Sequence, residues 1–412
     1  MVTREQSPVA HAIFVGVLGM LTAIAPLSID MYLPAMPDLA DAFSVSAAHV
    51  QYSLSLFFVG LALGQLTYGP IADRYGRLPV LYFGICLYLA ASLVCALAVS
   101  MPVLLAARLA AGFGAAAAPV MARAIVRDRF EGAQAASVMS FVVMVMATAP
   151  LVAPLVGGVV LAVASWRGIF ALLCVYAAMC LIALRLLLRE SHPPARRVRD
   201  RSLFAQYVGY LALVRRGPIA LFLVCGSLMF GALFSYVAGS SFVYIEQFGI
   251  PQSQFGFYFG ANVLAMLMGT FANGRLVMHF GYRRLLGVAV CNTLVCSLVL
   301  LVASVTGLGG FWGVAVPLFF LLSTVGVAGA NTVAGLLDQA PDAAGAASAL
   351  FGVCQFTAGA FASWCVGVLG GNALAMAIVM TIAAGGSVAA FIALLMRVPT
   401  PGAAAGERPG PA

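Results

Sequence analysis

Twelve runs of predominantly apolar residues divide this 412-residue chain. They fall at 12–34, 48–69, 78–99, 102–126, 135–163, 168–188, 217–241, 254–276, 284–304, 312–336, 343–367 and 372–396. A helix needs roughly 20 residues, at about 1.5 Å each, to cross a hydrocarbon layer of about 30 Å. In lipid every backbone N–H and C=O must find a partner within the protein, so runs of this kind fold as helices packed on one another. The expected fold is an all-α integral membrane protein with twelve transmembrane helices.

Composition closes the soluble alternative. The chain is 63% hydrophobic and 8% charged, against roughly 25% charged in soluble domains. Its net charge is +8, yet it contains no lysine, and all 21 basic residues are arginine. They lie in short segments between apolar runs, which is not the single patch a nucleic-acid partner would require. The nine cysteines form no C-x-x-C pair and fall mostly inside apolar runs, as small core residues do. With four scattered histidines, no metal site is expected, and neither a cofactor motif nor a catalytic constellation is visible. The chain is read as not an enzyme. The first run is too long for a cleaved signal, and Asp30 and Pro34 stand where a small-residue cleavage site would be.

The polar stretch from Arg189 to Arg201 (RESHPPARRVRDR) separates six runs from six. It divides the chain into an N-terminal six-helix half (1–188), a cytoplasmic linker (189–216), a C-terminal six-helix half (217–396) and a Pro/Gly/Ala-rich tail (397–412) expected to be disordered. Orientation follows from the arginines. With the N-terminus in the cytoplasm, the internal segments hold Arg4, Arg74, Arg77, Arg123, Arg127, Arg129, Arg185, Arg189, Arg196, Arg197, Arg199, Arg201, Arg215, Arg216, Arg275, Arg283, Arg284, Arg397 and Arg408. Only Arg167 falls outside, and Arg108 lies within a helix. Both termini are therefore expected to be cytoplasmic.

Three local motifs carry more. The first, GPIADRYGRLPV, spans Gly69 to Val80 between the second and third helices. Gly69 and Gly76 allow a tight turn, and Asp73 can face a helix N-terminus, where the dipole favours an anion. Arg74 and Arg77 can meet lipid phosphate or nearby acids. The second, ATAPLVAPLVGG, runs from Ala147 to Gly158 and sets Pro150 and Pro154 on one helix face. They bend the helix, and Gly157 and Gly158 permit close helix contact. The third is Ser28 to Pro37 (SIDMYLPAMP), accompanied by Ala122 to Asp128 (ARAIVRD) and Ser165 to Phe170 (SWRGIF).

The first motif resembles the signature loop of the major facilitator superfamily. The resemblance implies two six-helix halves with a site at their interface, and a cytoplasmic latch in which Asp73 and Arg77 join an acid at the end of the fourth helix, here Asp128. Leu78 departs from the pattern, where a basic residue is common. The proline motif resembles that of antiporters in the family, which implies export. The third set, with Ser240 to Glu246 (SSFVYIE) and Phe255 to Asn262 (FGFYFGAN) in the second half, resembles the bicyclomycin-resistance (Bcr/CflA) group of drug:proton antiporters. It implies proton-coupled efflux of drug-like small molecules, such as bicyclomycin- or chloramphenicol-like neutral antibiotics, across a bacterial inner membrane by alternating access. Export of a small metabolite, such as an amino acid or short peptide, is the alternative. A non-transporting receptor or scaffold would not need these motifs. The expected partners are a small-molecule substrate, protons and the bilayer, with the protein acting as a monomer.

Asp30 is the one acid well inside an apolar run, and Arg108 the one base away from a helix end. Ions in a spanning helix are costly and usually have a partner or a task. Asp30 lies about four residues from the external end of the first helix and Arg108 about six from that of the fourth, a difference in depth of roughly 3 Å. Asp30 could take up and release the coupling proton beside Arg108. The alternatives are a purely structural pair, or an Asp30 that caps a helix end near water. A second acid two turns earlier, found in some multidrug relatives, is replaced by Thr22, which favours a neutral or zwitterionic substrate over a dication. Further lining candidates are Tyr32, Gln51, Tyr52, Gln65, Tyr236, Asn262, Asn331 and Gln355, since midspan polar side chains tend to face a bundle interior.

Overall fold

The computed structural model describes residues 8–196 and 203–397. Arg4, the linker residues 197–202 and the tail 398–412 lie outside the described residues, along with the expectations placed on them. Among the described residues there are helices and no strand.

Six membrane-length segments precede the linker: α1 (His11–Phe43), α2 (Ala47–Tyr75), α3 (Arg77–Ala96), α4 (Met101–Arg129), α5 (Gly132–Val163) and α6 (Trp166–Leu187). Within the expected linker the apolar dodecamer Leu203–Val214 forms a short helix, α7, too short to span. Then comes α8 (Gly217–Gln247). The next element, Gln252–Thr306, is helical over 55 residues. Straight, it would be about 80 Å long, far more than a bilayer core of about 30 Å.

Its contacts show that it turns back. Gly269 and Thr270 pack against Ser323 and Gly326. Asn292, about 33 Å further along a straight helix, donates from Nδ2 to the Phe320 carbonyl at 2.9 Å and to Thr324 Oγ1 at 3.1 Å. Both ends of the interval thus meet the same two turns of the following helix. The reversal falls midway, at Gly281, whose φ of 76° and ψ of 154° are open to glycine and costly for other residues. The element is two spans, α9 (252–280) and α10 (282–306). With α11 (Gly310–Gln339), α12 (Pro341–Val368) and α13 (Ala373–Arg397) the twelve spans are complete.

The spans pack through small residues. Gly112 of α4 lies so close to the Phe57 carbonyl of α2 that a Cβ there would overlap it, and Gly60 stands in the same relation to Leu109. Close backbone approach is how membrane helices gain van der Waals contact without a hydrophobic drive between them. Large apolar side chains such as Phe83, Val163, Met278, Trp312 and Ile382 remain exposed on the outer surface, as lipid-facing positions would be. The first six spans meet the last six along two seams. α2 runs beside α12, with Phe58 stacked on Phe356, and α5 runs beside α9, with Leu151 and Leu155 against Gly260 and Gly256.

Candidate functional site

α1 is helical through Asp30 and then breaks. Residues 31–32 form a turn, and Leu33–Ala35 form a 3₁₀ turn containing Pro34, which cannot donate the next helical hydrogen bond. Asp30 is the last α-helical residue before the break. Arg108 of α4 is 1% exposed and sits behind it. The close α2–α4 crossing places its guanidinium carbon 4.2 Å from the centre of the Phe57 ring and 4.4 Å from that of Tyr32. Arg108 Nη2 donates to the Ser28 carbonyl at 3.1 Å. Tyr32 is fixed by a 2.9 Å hydrogen bond between its hydroxyl and Ser53 Oγ, and Ser28 Oγ bonds the Tyr88 hydroxyl.

No ion pair joins Asp30 and Arg108. Matched depth does not bring the two side chains together, because azimuth decides. Residues 28 and 30 are two apart on a helix, about 200° around it. With Ser28 turned to α3 and α4, Asp30 must face the other way, toward α8 and α9.

There it lines a cavity of about 230 Å³ between the two sets of six spans, with Ala25, Pro26 and Ile29 of α1. The remaining wall comes from Met146 and Pro150 of α5, Phe230 to Val237 of α8, Phe259 to Met266 of α9, Leu322 of α11, and Gln355 and Phe356 of α12. Its polar lining is Asp30, Tyr236, Asn262 and Gln355, and the rest is apolar or aromatic.

Three of the eight lining candidates therefore meet here: Tyr236, Asn262 and Gln355. Gln65 instead lines a larger chamber, of about 940 Å³, at the arginine-rich end, where its Oε1 accepts from Arg123 Nη2 at 3.3 Å. Tyr32 is turned inward to Arg108. Gln51 bridges the halves at the opposite end, its Nε2 donating to the Ala238 carbonyl at 3.1 Å, and Tyr52 lies beside it near Gly367. Asn331 pairs with Asn273 Oδ1 at 2.8 Å between α11 and α9. Thr22 bonds the Gly19 carbonyl of its own helix at 2.9 Å. Polarity at midspan marked these as interior residues, but not which interior surface they serve.

The two ends differ. Toward the arginine-rich end the chamber separates α2, α4 and α5 from α7, α11 and α12. At the other end the seam is shut: Ser241 Oγ bonds the Leu33 carbonyl, and Gln252 Nε2 donates to Asp38 Oδ1 at 2.6 Å. The proline motif belongs to this seam. Gly157 lies against the Met31 carbonyl, where a Cβ would overlap it, and Gly158 faces Gln252 and Ser253. Pro150 lines the cavity, and Pro154 is buried.

The signature loop forms a charged cluster at the arginine-rich end. Arg77, itself buried, donates from Nη1 to Asp73 Oδ1 at 2.6 Å and from Nε to Asp128 Oδ2 at 2.9 Å. Two expectations are corrected here. Gly76, at φ 107°, makes the turn alone, while Gly69 sits inside α2, because the helix continues past Pro70 to Tyr75. Asp73 does not face a helix N-terminus, since Arg77 holds it; Glu190 does so. Its Oε1 accepts the Arg77 N–H at 3.0 Å and its Oε2 the Leu78 N–H at 3.1 Å, capping α3. An anion at a helix start adds about 0.3–1 kcal/mol, and up to about 2 when partly buried. Neighbouring residues follow: Ser191 Oγ donates to Asp128 at 3.2 Å, and Arg129 Nη2 donates to the Arg189 carbonyl at 2.5 Å. Arg74 stands apart, over the Tyr75 ring. Sequence reading missed Glu190. Its signal was an acid set directly after Arg189, at the start of an arginine-rich stretch.

Residues 18–363 match the Major Facilitator Superfamily. The chain belongs to the major facilitator superfamily. Within the superfamily it is similar to a bicyclomycin resistance protein homolog of Haemophilus influenzae, 32% identical over 349 residues, or 84% of this chain and 87% of that protein. It is also 30% identical over 331 residues to a chloramphenicol resistance protein of Pseudomonas aeruginosa, covering 80% of this chain and 77% of the relative. In three dimensions it resembles a crystal structure of a D-xylose–proton symporter with a TM-score of 0.73 at 16% identity, over 94% of this chain and 98% of that one. That likeness speaks to the superfamily fold. The sequence relatives named above are proteins named for drug resistance.

Proposed function

We propose that this protein exports drug-like small molecules across the inner membrane in exchange for protons, by alternating access, with its arginine-rich end in the cytoplasm. The arginine distribution supports that orientation through the positive-inside rule. The resistance proteins to which the chain is similar support a drug-like substrate. With this orientation the conformation is open to the cytoplasm and shut toward the periplasm, ready to load cargo.

The observation that carries the proton role is the setting of Asp30. It is the only acid lining the central cavity, and it has no ion-pair partner among the described residues. An unpaired carboxyl between two moving halves can exchange a proton with whichever side is open. Arg108 Nε has no acceptor among the described residues. Behind Asp30, on the other face of α1, its positive charge favours the ionised carboxylate, so Arg108 is the cation against which the proton is released. The cluster of Asp73, Arg77, Asp128 and Glu190 is the cytoplasmic latch, organised around the N-terminus of α3.

The test is drug accumulation in everted vesicles under an imposed proton gradient. Wild type is expected to accumulate chloramphenicol or bicyclomycin and to lose the signal with an uncoupler, while Asp30→Asn abolishes gradient-driven uptake. Undiminished gradient-driven transport by Asp30→Asn would overturn the proton role. Transport of amino acids or peptides without either drug would favour the metabolite reading.

A further inference from the structure

The cavity opposite Asp30 is built around one amide. Asn262 Nδ2 donates to the Tyr236 hydroxyl at 2.9 Å and to the Tyr244 hydroxyl at 3.1 Å. All three residues are buried. A primary amide has two N–H donors, and each is spent on one phenol. A phenol oxygen that accepts a hydrogen bond still has its own O–H to give; the two phenols are also within hydrogen-bonding reach of each other, so a bound carbonyl would compete with Tyr244 for the Tyr236 O–H.

The two tyrosines are not equivalent. Tyr244 belongs to the π-helical turn Phe242–Gln247 and lies among Phe255, Tyr258 and Phe311, off the cavity wall. Tyr236 lines the cavity, with its ring stacked on Phe259 at 5.2 Å and 20°. Stacking on one side and the Asn262 bond on the other fix where its hydroxyl sits. Across the same space stands Asp30. These two are the titratable side chains of the lining; Arg108 is held on the far face of α1 by the Ser28 carbonyl. Asn262 and Gln355 are the other polar side chains of the lining, and Phe230, Phe234, Phe259 and Phe356 supply apolar wall.

We propose that Asp30 and Tyr236 form a two-point clamp for uncharged molecules that carry a hydrogen-bond donor and acceptor side by side, as an amide or a hydroxy-carbonyl does. This inference rests on the efflux reading above. The substrate's N–H or O–H donates to the Asp30 carboxylate, and its carbonyl accepts the Tyr236 O–H. Asn262 is a positioning residue that aims that hydroxyl. A proton arriving on Asp30 turns one oxygen into a donor and leaves the other a neutral, weaker acceptor, so the charge-assisted anchor is weakened and the molecule is released. Sites built to hydrogen-bond a polar group discriminate strongly against analogues that lack it.

The experiment measures binding of chloramphenicol, bicyclomycin and tetraphenylphosphonium to the purified full-length protein, with thermal melts to verify folding of each variant. Chloramphenicol and bicyclomycin each have adjacent donors and acceptors, and tetraphenylphosphonium has neither. Tyr236→Phe is expected to weaken binding of at least one of the two antibiotics about tenfold, roughly one hydrogen bond, and to leave any tetraphenylphosphonium binding within twofold. Asn262→Leu should follow Tyr236→Phe, and Tyr244→Phe should cost less than either. Wild-type antibiotic binding should fall as pH is lowered, and Asp30→Asn should flatten that dependence. Antibiotic affinity within twofold of wild type in Tyr236→Phe, or equal losses from Tyr236→Phe and Tyr244→Phe, would overturn the clamp while leaving efflux standing. If wild type binds neither antibiotic, the efflux reading and the clamp fall together.

Discussion

Arg108 donates to the carbonyl of Ser28 at 3.1 Å, and by holding that face of α1 it turns Asp30 toward the C-terminal helices. The guanidinium is used as a plane as much as a charge, because it lies over the Phe57 and Tyr32 rings. Lysine keeps the charge but has neither the plane nor the fork of donors. Buried cation–π contacts contribute about 2 kcal/mol or more when desolvated. Arg108→Lys is therefore expected to lower drug transport at least about tenfold without abolishing it. Initial rates in everted vesicles, normalised to protein amount, are the measurement, and wild-type rates would show that charge alone is sufficient.

How much of this was legible in the sequence depends on the direction of the information. Depth along the membrane is written in one dimension, as residue counts from run ends, so the twelve spans and the matched levels of Asp30 and Arg108 could be read. Azimuth is set by packing. The close α2–α4 crossing at Gly112 directs Arg108 to Ser28, and no periodicity in so uniformly apolar a helix announces it. For the same reason polar midspan residues could be identified as interior but not sorted among cavity, seam and helix–helix contacts. Asn331 shows this: it is as polar and as central as Asn262, yet it pairs with Asn273 away from the cavity. Glu190 was hidden for another reason, since the helix start it caps lies more than 100 residues away.

Glu190 ties the linker to the latch through the exposed end of a helix, with both carboxylate oxygens engaged. Glu190→Ala leaves three N–H groups, of Arg77, Leu78 and His192, without that partner and frees the 189–192 segment from the start of α3. A loss of about 1–2 kcal/mol is expected, seen as a lower melting temperature of the purified protein in detergent. Glu190→Asp should fall between wild type and alanine, because the shorter side chain reaches the helix end less well. An unshifted melt for Glu190→Ala would remove the capping role.

The adjacent glycines of the proline motif make unlike contacts. At Gly157 a Cβ would overlap the Met31 carbonyl at the break of α1, whereas at Gly158 the nearest atom, the Gln252 carbonyl oxygen, is 3.3 Å away. Backbone cannot yield as a side-chain tip does. Gly157→Ala is expected to push α5 from α1, with a cost of about 1–3 kcal/mol typical of overpacking and a transport defect. Gly158→Ala should be milder on both counts. The pair separates a steric requirement at one position from a general need for a flexible helix, which both substitutions would disturb alike; comparable defects would support the latter.

If the shut seam is a gate, fixing it should stop the cycle. Asp38 Oδ1 and Gln252 Nε2 are 2.6 Å apart across that seam, linking α1 to α9. Cysteines at both positions can be joined by a short bifunctional methanethiosulfonate reagent, which spans the space left by the two longer side chains, in a background where the exposed Cys86 and Cys291 are replaced by serine. Alternating access requires this seam to open once per cycle. Cross-linking of Asp38→Cys/Gln252→Cys by that reagent is expected to halt drug transport, and a reductant to restore it, with each single variant keeping its transport in the presence of the reagent. Cargo binding from the arginine-rich side should survive the cross-link, because the chamber at that end stays open. Full transport by the cross-linked protein would mean that this seam is a permanent joint and that cargo leaves by another route.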